Sequence, residues 1–261
     1  MILLDFNQIA LSNIIVQKLN DEDLIRHMIL NSIRMYNKRY REEYGQMVIC
    51  ADGMNTWRKD YFPYYKAKRR KNRDSSDQDW NEIFRILHLV RDEIKENLPY
   101  KVVHMEGVEA DDIIASLVLQ SQEFGMGEPM MIVSSDKDFI QLQKFNNVKQ
   151  FSPIQKKMVK DDNPRTYLFN HIMKGDSGDG IPNVLSDDDT FVSDKTQSPL
   201  RKTRIAEWLE NSDNLRNVME ETIYRNYQRN KKLIDLTEVP ESIQEAIINN
   251  YNDQKVAMKM R

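Results

Sequence analysis

Cysteine is nearly missing from this sequence: Cys50 is the only one in 261 residues, and it lies inside the apolar run "MVICAD". In that setting it reads as a buried structural thiol rather than a nucleophile or metal ligand, and it suits a reducing compartment. No apolar run approaches the roughly 20 residues that a membrane span needs, and "MILL" meets Asp5 too soon for a signal peptide. These absences lead to the expectation of a soluble cytoplasmic chain with no membrane partner.

Other kinds of chemistry are missing too. There is no Gly-rich phosphate loop of the nucleotide-binding kind. The histidines are scattered, with His27, His88 and His171 in helical patterns and His104 closing an apolar run, which leaves no histidine-based catalytic group. Repeats and long low-complexity tracts are absent. A net charge of −3 argues against a generally basic nucleic-acid binder, yet the charges are segregated. Between Arg58 and Arg73 the basic residues are Arg58, Lys59, Lys66, Lys68, Arg69, Arg70, Lys71 and Arg73, against the single acid Asp60.

The chain has 40% hydrophobic residues, enough for a real core. Apolar runs at 1–6, 46–52, 100–105 and 130–135 read as strands, with amphipathic helical patterns between most of them. That alternation predicts an α/β fold with a central, mainly parallel twisted sheet flanked by helices. "VKQFSPIQKKMVK" reads as a hairpin, and the later pattern is helical. We therefore expect a core over 1–160, including a basic segment at 56–75, and a smaller helical region over 161–261. The polar, aperiodic stretch 186–199 reads as a mobile loop.

Acids fall where these strands end. Asp5 closes the first and Asp52 the second; Glu109, Asp111 and Asp112 follow the third; Asp136 and Asp138 follow the fourth. In an open parallel sheet, residues beyond the carboxyl ends of the strands converge on one crevice. "GDSGDGIP" adds Asp176 and Asp179 in a loop. Acids in a first helical turn also serve as caps, which accounts for one or two of them. The whole set would repel itself unless cations neutralised it, and an all-oxygen donor set favours Mg²⁺ or Mn²⁺ over zinc. Metal-assisted hydrolysis of a phosphodiester is the chemistry that remains.

The segment "WRKDYFPYYKAKRRKNR" interleaves Trp57, Tyr61, Phe62, Tyr64 and Tyr65 with its cations. Either the aromatics pack inward under a charged helix, or they stack bases while Lys and Arg hold phosphates.

Together "LLDFNQIALS", "WRKDYFPYYKAKRR", "GVEADD", "SSDKDF", "VKQFSPIQKKMVK" and "KGDSGDGIP" resemble the 5′-to-3′ exonuclease and flap endonuclease family, especially its phage-encoded branch. The resemblance implies a resolvase-like, PIN-like core, a helical arch over 56–75, a helical DNA-binding region over 161–261, and two Mg²⁺ ions that Mn²⁺ replaces. It implies cleavage at the 5′ ends of RNA–DNA hybrids and of duplex and flap DNA, with ribonuclease H activity and a role in primer removal during phage replication in the host cytoplasm. By motif, Asp111, Asp136 and Asp138 resemble first-ion ligands, with Asp52 beside them and Asp5 and Glu109 direct or water-mediated. Asp112, Asp176 and Asp179 resemble the second-ion group. Arg58, Lys66 and Arg69 match residues that grip the scissile phosphate, and Tyr65 a stacking tyrosine; Trp57, Lys68, Arg70, Lys71 and Arg73 fall in the nucleic-acid-binding segment. After "GDSGDGIP" the family's Gly-x-Gly hairpin is replaced here; Lys202 and Thr203 keep the place of its helix start, and the cation-mediated duplex grip is not carried over. A monomer is expected, with a single-strand-binding protein and a sliding clamp as candidate protein partners. The competing readings are a toxin-type RNA endonuclease and a non-catalytic branched-DNA-binding module.

Overall fold

The computed structural model describes residues 1–17, 21–123, 127–193 and 195–255, apart from the side chains at 16, 17, 70, 71 and 123. In chain order the elements are β1 (Ile2–Asp5), α1 (Phe6–Gln17), α2 (Glu22–Tyr44), β2 (Met47–Ala51), α3 (Trp57–Tyr61), α4 (Ala67–Asp74), α5 (Trp80–Asn97), β3 (Lys101–His104), α6 (Ala110–Glu123) and β4 (Met130–Val133). A 3-10 helix (Lys137–Lys144) leads to β5 (Val148–Ser152), β6 (Lys157–Val159), α7 (Pro164–Lys174), α8 (Lys202–Glu210), α9 (Leu215–Val218), α10 (Glu221–Ile234) and α11 (Glu241–Asp253).

The strands pair in the order β3-β2-β1-β4-β5-β6, all parallel except β6, which runs antiparallel to β5 in the expected hairpin. β1, β2 and β4 are buried at every position, as a sheet covered on both faces requires. On one face α2 presents Ile25, Ile29, Ile33, Tyr36, Tyr40 and Tyr44, spaced by three or four residues, and α5 presents Ile83, Ile86, Leu87, Val90 and Ile94. These meet Ile2, Leu4, Ile49 and Val133 in one cluster. α6 packs against β1 and β2, and α11 packs against α6 and β3. Cys50 is fully buried, and burial beside the charge of Asp5 pushes its thiol well up, in keeping with a structural residue.

The chain divides into two compact units. The first is Met1–Thr56, Asp79–Asp161 and Pro240–Arg261; the second is Trp57–Gln78 and Asp162–Val239. The division differs from 1–160 and 161–261 at two places. The basic segment belongs to the second unit, where Phe62 and Tyr65 join a cluster with Ile172, Ile181, Leu233 and Ile234. The last helix belongs to the first unit, where Ile247 is fully buried and the Gln254 side chain both donates to and accepts from the backbone of Val102. An amphipathic helix pattern specifies that a face is buried, not against which element.

Stretch 186–199 forms neither helix nor strand among its described residues, but it is tied down rather than loose. The Asn183 side chain donates to Ser198 O at 2.8 Å, and its backbone amide donates to Gln197 Oε1 at 2.7 Å. Asp188 lies between Arg225 and Arg229 of α10. Ion pairs across about forty residues leave no local periodicity to read.

Candidate active site

In the first unit the order of strands reverses between β1 and β4, and the carboxyl ends of β1, β2, β3 and β4 share one edge. That is the ligand crevice of an open parallel sheet. Asp5 sits at its centre, only 6% exposed, with Oδ1 accepting from the Gln8 amide at 3.2 Å and Oδ2 from the Ser134 hydroxyl at 2.8 Å. Burial, then the charge of Asp52, and less strongly that of Asp136, push the Asp5 carboxyl up to about 7. Two hydrogen bonds resist the rise without preventing it.

The second strand end is held from its neighbour. Gly53 N donates to Val108 O at 2.7 Å, and a side chain at Gly53 would place its Cβ 1.8 Å from Met105 O. Only glycine lets these two loops approach so closely. Asp52 Oδ1 thereby accepts from Ala110 N, the first residue of α6, at 2.8 Å. Glu109 precedes that helix, is 7% exposed, and accepts from Thr56 Oγ1; its own amide donates to Asp112 Oδ2 at 3.0 Å. Asp112 thus supplies the helix-capping half of a capping box, which answers in part why acids crowd this turn. Asp111, half-buried, occupies the same first turn.

Beyond β4, Ser134 links the acids: its hydroxyl donates to Asp5 and accepts from Asp136 N. Asp136 Oδ1 accepts from Asp138 N at 2.9 Å and caps the 3-10 helix, while Gln150 donates to the carbonyls of Ser134 and Asp136. The seven acids Asp5, Asp52, Glu109, Asp111, Asp112, Asp136 and Asp138 therefore share this edge. Sequence reading missed their supports Gln8, Thr56, Ser134 and Gln150. "DFNQ" and "SSDKD" carried a signal for two of them, since polar residues beside strand-end acids are available to orient them.

An all-oxygen donor set gathered at one sheet edge suits a hard divalent cation. Burial first, and the charges of Asp52 and Asp136 after it, disfavour the ionised Asp5 carboxyl, and a cation would offset the part that is repulsion.

Asp176 and Asp179 belong to the second unit, in the turn after α7. Asp176 Oδ1 accepts from the amides of Gly178 and Asp179, and Oδ2 lies 3.3 Å from His171 Nε2, whose hydrogen bond holds the Asp176 carboxyl below its usual range. Asp179 gathers the basic segment. Lys66 N donates to Asp179 O at 2.7 Å, Tyr65 Oη to Oδ2 at 3.2 Å, Arg69 to Oδ1 at 2.5 Å, and Lys66 Nζ is 3.6 Å from Oδ2. Gly180, with φ +75°, permits this approach, because a Cβ there would meet Tyr64 O at 2.9 Å.

Three residues of that segment are held within the second unit. Arg58 is 3% exposed and its Nε donates to Leu233 O, which ties α3 to the end of α10. Tyr65 is 3% exposed and packs in the second unit's core. Trp57, half-buried, lies between Arg58 at 4.6 Å and Lys232 at 5.5 Å. Lys68 is exposed, 5.6 Å from the Phe191 ring, and Arg73 is half-buried; the side chains of Arg70 and Lys71 lie outside those described. α8 begins at Lys202, with Lys202 and Thr203 both exposed.

This fold and this crevice of carboxylates define a metal-dependent nuclease core of the 5′-3′ exonuclease type. A family model described as the 5′-3′ exonuclease, N-terminal resolvase-like domain, matches residues 6–167, and the chain belongs to that family, whose members are nucleases. A second, described as T4 RNase H, C terminal, matches residues 163–261. Ribonuclease H of Enterobacteria phage T4 is 37% identical to the chain over 267 residues, taking in 97% of this chain and 87% of that one. A 5′-3′ exonuclease of Buchnera aphidicola subsp. Schizaphis graminum is 28% identical over 172 residues, 63% of this chain and 56% of that one. Among solved structures, the T5 D15 protein co-crystallized with metal ions superposes with a TM-score of 0.72 at 15% identity, covering 97% of both chains. The bacteriophage T5 D15 flap endonuclease in a pseudo-enzyme-product complex with DNA and metal ions does so at 0.71 and 16%, covering 97% of this chain and 99% of that one. At such identities the likeness is one of fold.

Proposed function

We infer that the protein is a Mg²⁺-dependent 5′-to-3′ exonuclease and flap endonuclease with ribonuclease H activity, hydrolysing phosphodiesters at the 5′ ends of RNA–DNA and DNA duplexes. The observation that carries this reading is the crevice of seven carboxylates with Asp5 at its centre, its carboxyl pushed up to about 7. Divalent cations held there would supply a water of lowered pKa and positive charge for the hydrolysis of a phosphodiester. Asp111, Asp136 and Asp138, with Asp52, are the proposed direct ligands. Asp5 and Glu109 are held by Ser134, Gln8 and Thr56 so that their oxygens stay oriented. Lys66 and Arg69 are the proposed phosphate-gripping cations, and primer removal in phage replication, in the host cytoplasm, is the proposed role. A single-strand-binding protein and a sliding clamp are the proposed protein partners of a monomeric enzyme. Among the described residues no helix is long and apolar enough to cross a membrane.

The test is cleavage of a 5′-labelled RNA–DNA hybrid and a matched DNA flap, with Mg²⁺ and with EDTA. Short labelled products that require Mg²⁺ are expected from both substrates. Tight flap binding with no product would favour the non-catalytic binding module instead.

A further inference from the structure

Within the second unit, α10, the start of α9 and the residues leading into it line an open cavity of about 640 Å³, inside the range of pockets that hold small ligands. Tyrosines supply much of its wall. Tyr61, from α3, is 49% exposed and lines it. Tyr224 and Tyr227, three residues apart on α10 and so on one face, lie stacked with centroids 6.1 Å apart and planes 28° apart. Both contribute to the neighbouring apolar cluster and are only half-buried, so part of each ring faces the cavity. Burial pushes the phenols of Tyr61 and Tyr227 up, and the rings stay uncharged at neutral pH.

Lys231, Lys232 and Arg216 line the cavity against the acids Glu238 and Asp213, and Asp213 lies 3.7 Å from Arg165. Lys231 and Lys232 are both paired with Glu238. Arg216 is exposed, has no carboxylate within ion-pair distance among the described residues, and holds its guanidinium 5.7 Å from the Tyr224 centroid. A stacked aromatic pair beside such a guanidinium takes a flat π-face joined to an anion, the chemistry of a nucleotide unit.

We propose that this cavity binds one nucleotide of a single-stranded nucleic-acid segment, its base against the Tyr224–Tyr227 pair and Tyr61 and its phosphate on Arg216. The choice of a strand over a free nucleotide rests on the nuclease reading. The site itself does not, because it contains none of the crevice acids and needs no metal.

The test is binding in EDTA, by fluorescence anisotropy, of a duplex with and without a 5′ oligothymidylate tail. The wild type binds the tailed duplex more tightly. Tyr61→Leu reduces the tailed affinity about fivefold or more, the lower end of what one base–aromatic stack contributes, and Arg216→Gln reduces it by removing the cation that meets the phosphate. Tailless affinity and melting temperature stay at wild-type values. Equal losses on both duplexes, or no tail preference in the wild type, would overturn the proposal. Displacement of the tail by low concentrations of thymidine monophosphate would overturn it in favour of a free nucleotide. Mg²⁺-dependent cleavage of the tailless hybrid, run in parallel, reports on the nuclease reading separately.

Discussion

Asp5 is a buried carboxyl whose ionisation the crevice disfavours. Its pKa is raised from 3.8 to about 7 in the folded chain, chiefly by burial. The folded state thus binds a proton that the unfolded state has released. The stability this gives is fully present below about pH 4 and is lost progressively as pH rises to about 7. Asp5 should therefore pull the melting temperature of the metal-free protein down between pH 5 and pH 8, against the opposite contribution of His88 and His104, whose pKa values burial lowers, and Mg²⁺ should restore part of the Asp5 loss at pH 8 by mass action. Asp5→Asn keeps an acceptor for Ser134 without the buried charge; it should remove the Asp5 share of the pH slope between pH 5 and pH 8. Asp136→Asn should abolish cleavage while leaving DNA binding equal or tighter, since one fewer negative charge faces the polyanion; full turnover would sink its role as ligand. The acids of the first unit were legible because strand ends can be read from apolar runs. The burial of Arg58 and Tyr65 was not, because interleaved aromatic and basic residues look the same in sequence whether a ring faces inward or outward.

At the scale of elements, β1 to β4 lie within the apolar runs that announced them, each run overshooting its strand by one or two residues. Where long-range packing decides, sequence is mute. α11 carries an ordinary amphipathic pattern, yet it completes the first unit through Ile247 against α6 and β3. Ile247→Ala should cost about 2–5 kcal/mol, as large-to-small changes at fully buried sites do. Hydrogen exchange should show the loss concentrated in α6 and β3. Faster exchange confined to α7 and α10 would instead place α11 with the second unit.

For the whole molecule the decisive quantity is how charge is distributed, not its sum. A net charge of −3 coexists with the basic segment, whose Lys66 and Arg69 are held by Asp179. Binding to a flap in EDTA should weaken steeply with salt despite the negative total, since counterions released from phosphates set the slope. Replacing both Lys66 and Arg69 by Ala should lower that slope by about 2, one for each phosphate no longer gripped. An unchanged slope would mean that neither cation leaves Asp179 for a phosphate.

The chain passes from one unit to the other four times, at 56/57, 78/79, 161/162 and 239/240. No single cut can therefore yield either unit whole, and a fragment ending at residue 160 would lack the helix that covers α6 and β3. To isolate the carboxylate-bearing unit, one would excise 57–78 and 162–239 and rejoin the ends with short linkers. Evolution faces the same constraint: the second unit can be exchanged only as paired insertions, and an exchange of chain ends would break both.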